Sequence, residues 1–221
     1  MSDDRRALRE LVRELVRAHG RTYAEEAGIR LRDTPQPLYR LLVLAMLLSA
    51  RIRASVAIAA ARELDAAGLR DPRRMAEADW QARVDALGRG GYRRYDERTA
   101  TMLGEGAELV MARWRGDLRR LREEAGGDTE TLRRLLREVP GVGPAGADIF
   151  LREVQRVWGE VGPLVDAKAL QGAARLGLPE DPGELVRLAG GADTAVLAAA
   201  LVRAALDKAV VDDVRRRVQR G

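Results

Sequence analysis

The chain has 221 residues, of which 46% are hydrophobic and 33% are charged, and its formal net charge is +5. This length and hydrophobic content suit one large globular domain or two small ones. The sequence has no cysteine, which excludes disulfides, zinc–thiolate sites and cysteine-ligated iron–sulfur clusters. The basic residues are arginines except Lys168 and Lys208, a bias that indicates either an anionic partner or a GC-rich genome.

Helical periodicity runs through almost the whole chain, and no alternating strand pattern accompanies it. The charged N-terminus is unlike a signal peptide, and the apolar stripe Leu8–Val16 predicts an amphipathic helix before Gly20. The longest apolar run, Leu41–Ala50, is too short to span a bilayer and predicts a buried helix. We therefore expect an all-α protein of the cytoplasm that has no membrane segment.

The remaining elements are predicted from the same period and from helix start and stop signals. In chain order they are a break at Thr34–Pro37, helices over Leu38–Ala50 and Ser55–Ala67, helix starts at Asp71 and Asp79, a flexible turn at Gly88–Gly91, and helices over Glu97–Trp114, Leu118–Glu123, Thr129–Arg137, Pro144–Trp158, Asp166–Leu176, Pro182–Leu188 and Asp193–Val218, the last with a candidate break near Asp207. This pattern predicts ten or eleven helices. Trp80, Trp114 and Trp158 are predicted to be core residues.

The segment Leu136–Phe150 joins two of the predicted helices through the short turn Pro140–Gly143. Gly141 and Gly143 bracket this turn because glycine tolerates backbone angles that other residues avoid, and Pro144 suits a first helical position. Free amide N–H groups and the positive end of the next helix together form a socket for a phosphate. The residues therefore predict a phosphate site. The pattern resembles a helix-hairpin-helix motif, and this resemblance implies contacts with the DNA backbone, made by Gly141, Val142, Gly143, Ala145 and Gly146.

Three segments together resemble the endonuclease III-like, helix-hairpin-helix superfamily of DNA glycosylases. Leu47–Arg51 is similar to the superfamily's L-L-S-A-Q segment, Val139–Ala147 to its hairpin, and Leu164–Lys168 with Arg175–Leu178 to its V-D-T-H and R-L-G-L segment. The resemblance implies a two-lobed, all-α helix-hairpin-helix glycosylase fold with a DNA-binding cleft between the lobes. Residues 38–158 would form a six-helix lobe that carries the hairpin, and residues 1–37 and 159–221 a second helical lobe.

The resemblance also implies that Asp166 is the catalytic residue of a monofunctional DNA glycosylase in base excision repair. In such enzymes a carboxylate stabilises the positive charge that builds on the sugar and can take a proton from the attacking water. Aspartate at this position would also cap a helix through the amide of Ala169, and the two roles are compatible. Ala145 stands where strand-cutting members have a nucleophilic lysine, so lyase chemistry by that route is excluded.

Alkylated purines are the favoured substrate class because their positively charged bases are good leaving groups. The adenine-specific branch of the superfamily has a carboxylate where this chain has apolar Leu44, Ala45 and Met46, which argues against that substrate. Two alternatives stay open. One is a non-catalytic DNA-binding or damage-recognition protein, and Gly146, where the family usually has threonine, suits it; the other is a residual lyase that uses Lys168.

Several further side chains are candidate DNA contacts. Arg51 replaces the family's glutamine, which fills the gap left by a flipped base, and a planar guanidinium can stack there. Arg94 and Arg98 lie beside Tyr92 and Tyr95 after a glycine turn, which is typical of a phosphate contact next to a stacking or pocket aromatic. Lys168 is a further candidate phosphate contact. All four cations also suit an ordinary solvated surface.

The expected partner is double-stranded DNA, bound by a monomer. No iron–sulfur cluster is expected, and no other cofactor is predicted from the residues. The sequence also has no evident set of metal ligands. Some relatives hold a monovalent cation between hairpin carbonyls and the DNA phosphate, and for this chain that question stays open.

Overall fold

Helices make up 70% of the structure, a computed structural model that describes residues 3–220, and these residues contain no strand. The all-α prediction is therefore confirmed. Residues 1, 2 and 221, the ends of the predicted second lobe, lie outside the described residues. The chain divides into two compact units, one formed by Met1–Thr22 with Val161–Gly221 and the other by Tyr23–Glu160.

Fourteen α-helices occur within residues 3–220. In chain order they are α1 (Asp3–His19), α2 (Tyr23–Glu26), α3 (Pro35–Leu48), α4 (Ala54–Ala66), α5 (Pro72–Glu77), α6 (Trp80–Arg89), α7 (Asp96–Trp114), α8 (Leu118–Ala125), α9 (Thr129–Leu136), α10 (Pro144–Val154), α11 (Ala167–Leu176), α12 (Pro182–Ala189), α13 (Thr194–Leu206) and α14 (Lys208–Val218). The count exceeds the predicted ten or eleven partly because α2, a single turn, is too short to show a helical period.

Aspartate and proline mark most of the helix starts. Aspartate side chains accept hydrogen bonds from first-turn amides at the starts of α5, α8, α9, α11, α12, α13 and α14. Asp207 ends α13 and caps α14, which confirms the break predicted there.

The predicted break at Thr34–Pro37 is wrong, because Pro35 opens α3 and proline needs no amide donor in a first turn. The helix after the hairpin ends at Val154, before the predicted Trp158.

The unit Tyr23–Glu160 is built around α3, a mostly apolar helix. Helices α4, α8 and α10 pack on α3, and Leu38, Leu41, Leu44 and Leu47 are fully buried. A second group of helices forms where α5 and α6 pack on α7. These contacts fix α3 and α7, the two helices on which the hairpin turn lies.

The unit Met1–Thr22 with Val161–Gly221 contains a very close approach of two helices. Helices α11 and α13 pack together at Gly172, where a Cβ atom would lie 1.8 Å from the carbonyl oxygen of Leu201. Helix α1 packs on α12, α13 and α14, and His19 Nε2 lies 3.0 Å from Asp213 Oδ2. The packing of α11 on the buried, alanine-rich α13 fixes the position of Asp166, the N-cap residue of α11.

Two of the three tryptophans lie in the core as predicted. Trp114 and Trp158 are 1% and 0% exposed, and their indole N–H groups donate to Glu124 and Asp33. The prediction for Trp80 is wrong: this side chain is 41% exposed. Trp80 is the first residue of the short helix α6, directly after its N-cap Asp79, at an end of the helix that the core does not cover.

Candidate nucleic-acid interface

The predicted hairpin is present as helix α9, a turn and helix α10. Gly141 has φ +86°, in the left-handed region that favours glycine, and the amide of Val142 donates to the carbonyl of Val139 at 3.0 Å. Gly143 has φ −84° and ψ −174°, an extended conformation open to other residues. The expectation that both glycines are required by backbone angle is therefore correct for Gly141 and wrong for Gly143.

The turn is held against two helices of its own unit. A Cβ atom at Gly141 would lie 2.9 Å from Met46 Sδ in α3 and 3.1 Å from Met102 Cβ in α7. Nearby on α7, a Cβ at Gly106 would lie 3.1 Å from Val139 Cγ1. Because backbone and side chains meet this closely, the turn is fixed in place by packing.

Three backbone amides at the start of α10 donate no hydrogen bond to a described residue. They belong to Gly143, Ala145 and Gly146; Pro144 has no N–H, and the amide of Ala147 donates to the carbonyl of Gly143 at 3.0 Å. Ala145 is exposed, Gly143 is half-buried and Gly146 is buried. Free amides at the positive end of an eleven-residue helix are hydrogen-bond donors that suit an anion.

Ion pairs connect α9 to α10 and connect the residue before the turn to α7. Arg133 Nε of α9 lies 2.8 Å from Asp148 Oδ1 of α10. Glu138, just before the turn, pairs with Arg113 of α7, and Arg113 also contacts Glu124 of α8 at 2.5 Å. Burial and charge therefore hold the two helices in one arrangement, so the amides at the start of α10 need little ordering when an anion binds.

Three exposed arginines near the turn have no ion pair within the described residues: Arg51, Arg98 and Arg137. Arg51 lies two residues after Ser49, whose Cβ lies 3.7 Å from the position of a Cβ at Gly146. Arg98 lies one turn before Met102 on α7, and Arg137 is the C-cap of α9. Sequence reasoning missed Arg137, although its position just before the turn was a usable signal.

The two tyrosines of the Tyr92–Arg98 corner differ in exposure. Tyr92 is 3% exposed, and Thr99 Oγ1 donates to its hydroxyl at 3.2 Å. Burial raises the pKa of the Tyr92 phenol above its ordinary value. Tyr95 is half-buried, and the guanidinium of Arg94 lies 5.2 Å from its ring centroid. Of this pair, Tyr95 is the ring that a nucleic acid can reach.

Asp166 and Lys168 lie in the unit Met1–Thr22 with Val161–Gly221. Asp166 is half-buried and is the N-cap of α11, where its Oδ1 accepts a hydrogen bond from the amide of Ala169 at 2.9 Å. Lys168 is exposed, and its Nζ donates to Gln171 Oε1 at 3.0 Å. The hairpin amides and the candidate contacts Arg51, Arg94 and Arg98 lie in the unit Tyr23–Glu160.

Within the described residues, no group of three or more His, Cys, Asp or Glu side chains is arranged to hold a metal ion. The same residues contain no single helix that is both long and apolar enough to cross a membrane. Helices α12 and α13, which meet at a bend of 110°, satisfy that test of length and composition only as a pair.

No family model matches this chain, and no curated protein matches it.

Proposed function

We propose that this protein binds double-stranded DNA through the α9–α10 hairpin and acts as a monofunctional DNA glycosylase in base excision repair. The observation that carries the proposal is that the backbone amides of Gly143, Ala145 and Gly146, at the N-terminus of α10, donate no hydrogen bond to a described residue. The exposed arginines without an ion pair that were described above lie near these amides. A DNA backbone supplies the acceptors and the charge that these groups lack. Such contacts position a duplex without reading its sequence. The proposal includes the two-lobed glycosylase fold that the resemblance implies.

Asp166 is the proposed catalytic residue. Its hydrogen bond to the amide of Ala169 fixes the carboxylate at the start of α11, and the close packing of α11 at Gly172 limits movement of that helix. A fixed carboxylate can stabilise positive charge on the sugar as the glycosidic bond breaks, and can accept a proton from the attacking water. Loss of base release in Asp166→Asn is the expected result.

The proposed reaction leaves the DNA strand intact. Ala145, at the lyase position, is exposed at the start of α10 and has no amine to form an imine. Lys168 is a surface residue whose Nζ donates a hydrogen bond to Gln171 of the same helix. Alkylated purines remain the proposed substrate class, because a cationic base leaves without protonation by an enzyme acid.

The hairpin role is tested by placing charge beside the free amides. In Ala145→Glu the new carboxylate suits the first turn of a helix, so we expect stability to be kept, but it repels a phosphate. Ala145→Gln has nearly the same shape and no charge. We expect Ala145→Glu to lose duplex binding by at least roughly tenfold, and Ala145→Gln to bind nearly as wild type does. Equal affinities for the two variants would show that DNA does not contact this helix end.

A second candidate is a non-catalytic protein that binds DNA or recognises damage. The capping bond from Ala169 favours it, because it gives Asp166 a structural role that needs no chemistry. This alternative predicts the same dependence of duplex binding on Ala145, with no base released from any lesion.

A further inference from the structure

Trp80 presents an exposed aromatic ring on the unit that contains the hairpin. Its indole Nε1 donates to Thr101 Oγ1 of α7 at 3.0 Å, while the side chain stays 41% exposed. The bond satisfies the polar edge of the ring and orients it against α7. The exposed part is therefore apolar ring surface held in a fixed position.

The ring lies at the same level of α7 as the hairpin turn. Thr101, which holds the indole, and Met102, which lies against Gly141, are consecutive residues of α7, about 100° apart around its axis. The ring and the turn therefore lie on adjacent sides of α7.

Arg98 lies on the strip of α7 between the two. It is one turn before both Thr101 and Met102, it is exposed, and it has no ion pair within the described residues. Glu97, one turn before Thr101, and Glu105, one turn beyond it, are also exposed and repel phosphate. A DNA strand that leaves the hairpin would therefore have its phosphate at Arg98, between the turn and the ring.

We infer that Trp80 is a stacking platform for an unpaired nucleobase next to the stretch of DNA whose phosphate the hairpin holds. The inference rests on the proposed DNA binding and adds a ligand class to it: DNA in which unpaired nucleotides adjoin a duplex. A paired base has both faces covered by its neighbours in the stack, so a fully paired duplex gains nothing from this ring.

The test compares a fully paired duplex with a duplex of the same length and ends that has an internal bulge of unpaired nucleotides. Affinity is measured for wild type, Trp80→Leu and Trp80→Phe, with circular dichroism to check that each variant is folded. Tryptophan fluorescence gives a second readout. Because Trp114 and Trp158 are buried, quenching by bulged DNA reports on Trp80.

We expect wild type to prefer bulged DNA and Trp80→Leu to lose roughly 5- to 100-fold of its affinity for it, with little change for paired DNA. Trp80→Phe keeps an aromatic face and should keep most of the preference.

The stacking role would be overturned if wild type and Trp80→Leu each bound the two probes equally well. The hairpin role would stand in that case if Ala145→Glu still weakened the binding of both probes. Fluorescence quenching by bulged DNA together with no effect of Ala145→Glu would support stacking and refute the hairpin site. Absence of binding to either probe would refute both proposals.

Discussion

Gly141 lies directly against Met102, with 3.1 Å between the position of a Cβ at Gly141 and the Cβ of Met102. Its φ of +86° is a second, independent reason for glycine at this position. Gly143, two residues later, has neither constraint, since its φ is −84° and a Cβ there would meet nothing within 4 Å. The two glycines look equivalent in the sequence, but Gly141 is needed for the fold, whereas at Gly143 the missing side chain leaves the amides open to a ligand.

This difference predicts unequal costs for the two alanine substitutions. Gly141→Ala should lower the free energy of unfolding by about 2–3 kcal/mol, because alanine is strained at positive φ and its Cβ meets Met46 and Met102. Gly143→Ala should change it by no more than about 0.5 kcal/mol. Urea unfolding followed by circular dichroism measures both, and similar losses in the two variants would contradict the assignment.

The unpaired arginines predict a measurable change in the salt dependence of DNA binding. Alanine at Arg51, Arg98 or Arg137 should each weaken duplex binding for all sequences alike and lower the slope of log K against log salt by about 1. Arg73→Ala is the matched control, because Arg73 is also exposed but pairs with Glu77 on α5. The prediction fails for any of the three arginines whose alanine variant keeps the wild-type slope.

The packing of α11 on α13 predicts that one added methyl group at Gly172 lowers the stability of the fold strongly. Gly172→Ala would place a Cβ 1.8 Å from the Leu201 carbonyl oxygen, so the helices must separate, at a cost of about 3 kcal/mol or more. Gly159→Ala is the control, because nothing lies within 4 Å of a Cβ there. Thermal unfolding of both variants checks this, and near-equal melting temperatures would show that α11 does not pack as described.

The lowered pKa of Glu124 predicts that this residue of α8 makes a pH-dependent contribution to the stability of the fold. Hydrogen bonds from the Trp114 indole and from Arg113 hold the pKa of Glu124 below its ordinary value of 4.5. A carboxyl with a lowered folded-state pKa stabilises the fold above its unfolded-state pKa, and this contribution is lost as pH falls through the folded-state value. Unfolding midpoints at about pH 6 and about pH 3.5 should therefore differ more in wild type than in Glu124→Gln, and an equal difference in both would contradict this role.

The sequence predicted the helical class, the hairpin and the capping position of Asp166 because each depends on local signals. Periodicity marks helices, the P-G-V-G turn needs its first glycine, and an aspartate before an apolar helix is a frequent cap. The exposure of Trp80 and the different constraints on Gly141 and Gly143 depend on which helices pack beside them. Met46 and Met102 are distant from Gly141 along the chain, so no local pattern places them there.

The measurement that tests the central claim most directly is base release by wild type and Asp166→Asn from duplexes that contain alkylated, deaminated or oxidised bases, with hot alkali added to cut at abasic sites. Asparagine caps a helix about as well as aspartate, so this variant keeps the fold and removes the charge. Asp181→Asn, at the equivalent cap of α12, is the matched control. We expect release by wild type and Asp181→Asn but not by Asp166→Asn, with strand breaks only after alkali. Undiminished release by Asp166→Asn would contradict the assigned mechanism, and no release from any lesion despite intact duplex binding would show that the protein binds DNA without excising a base.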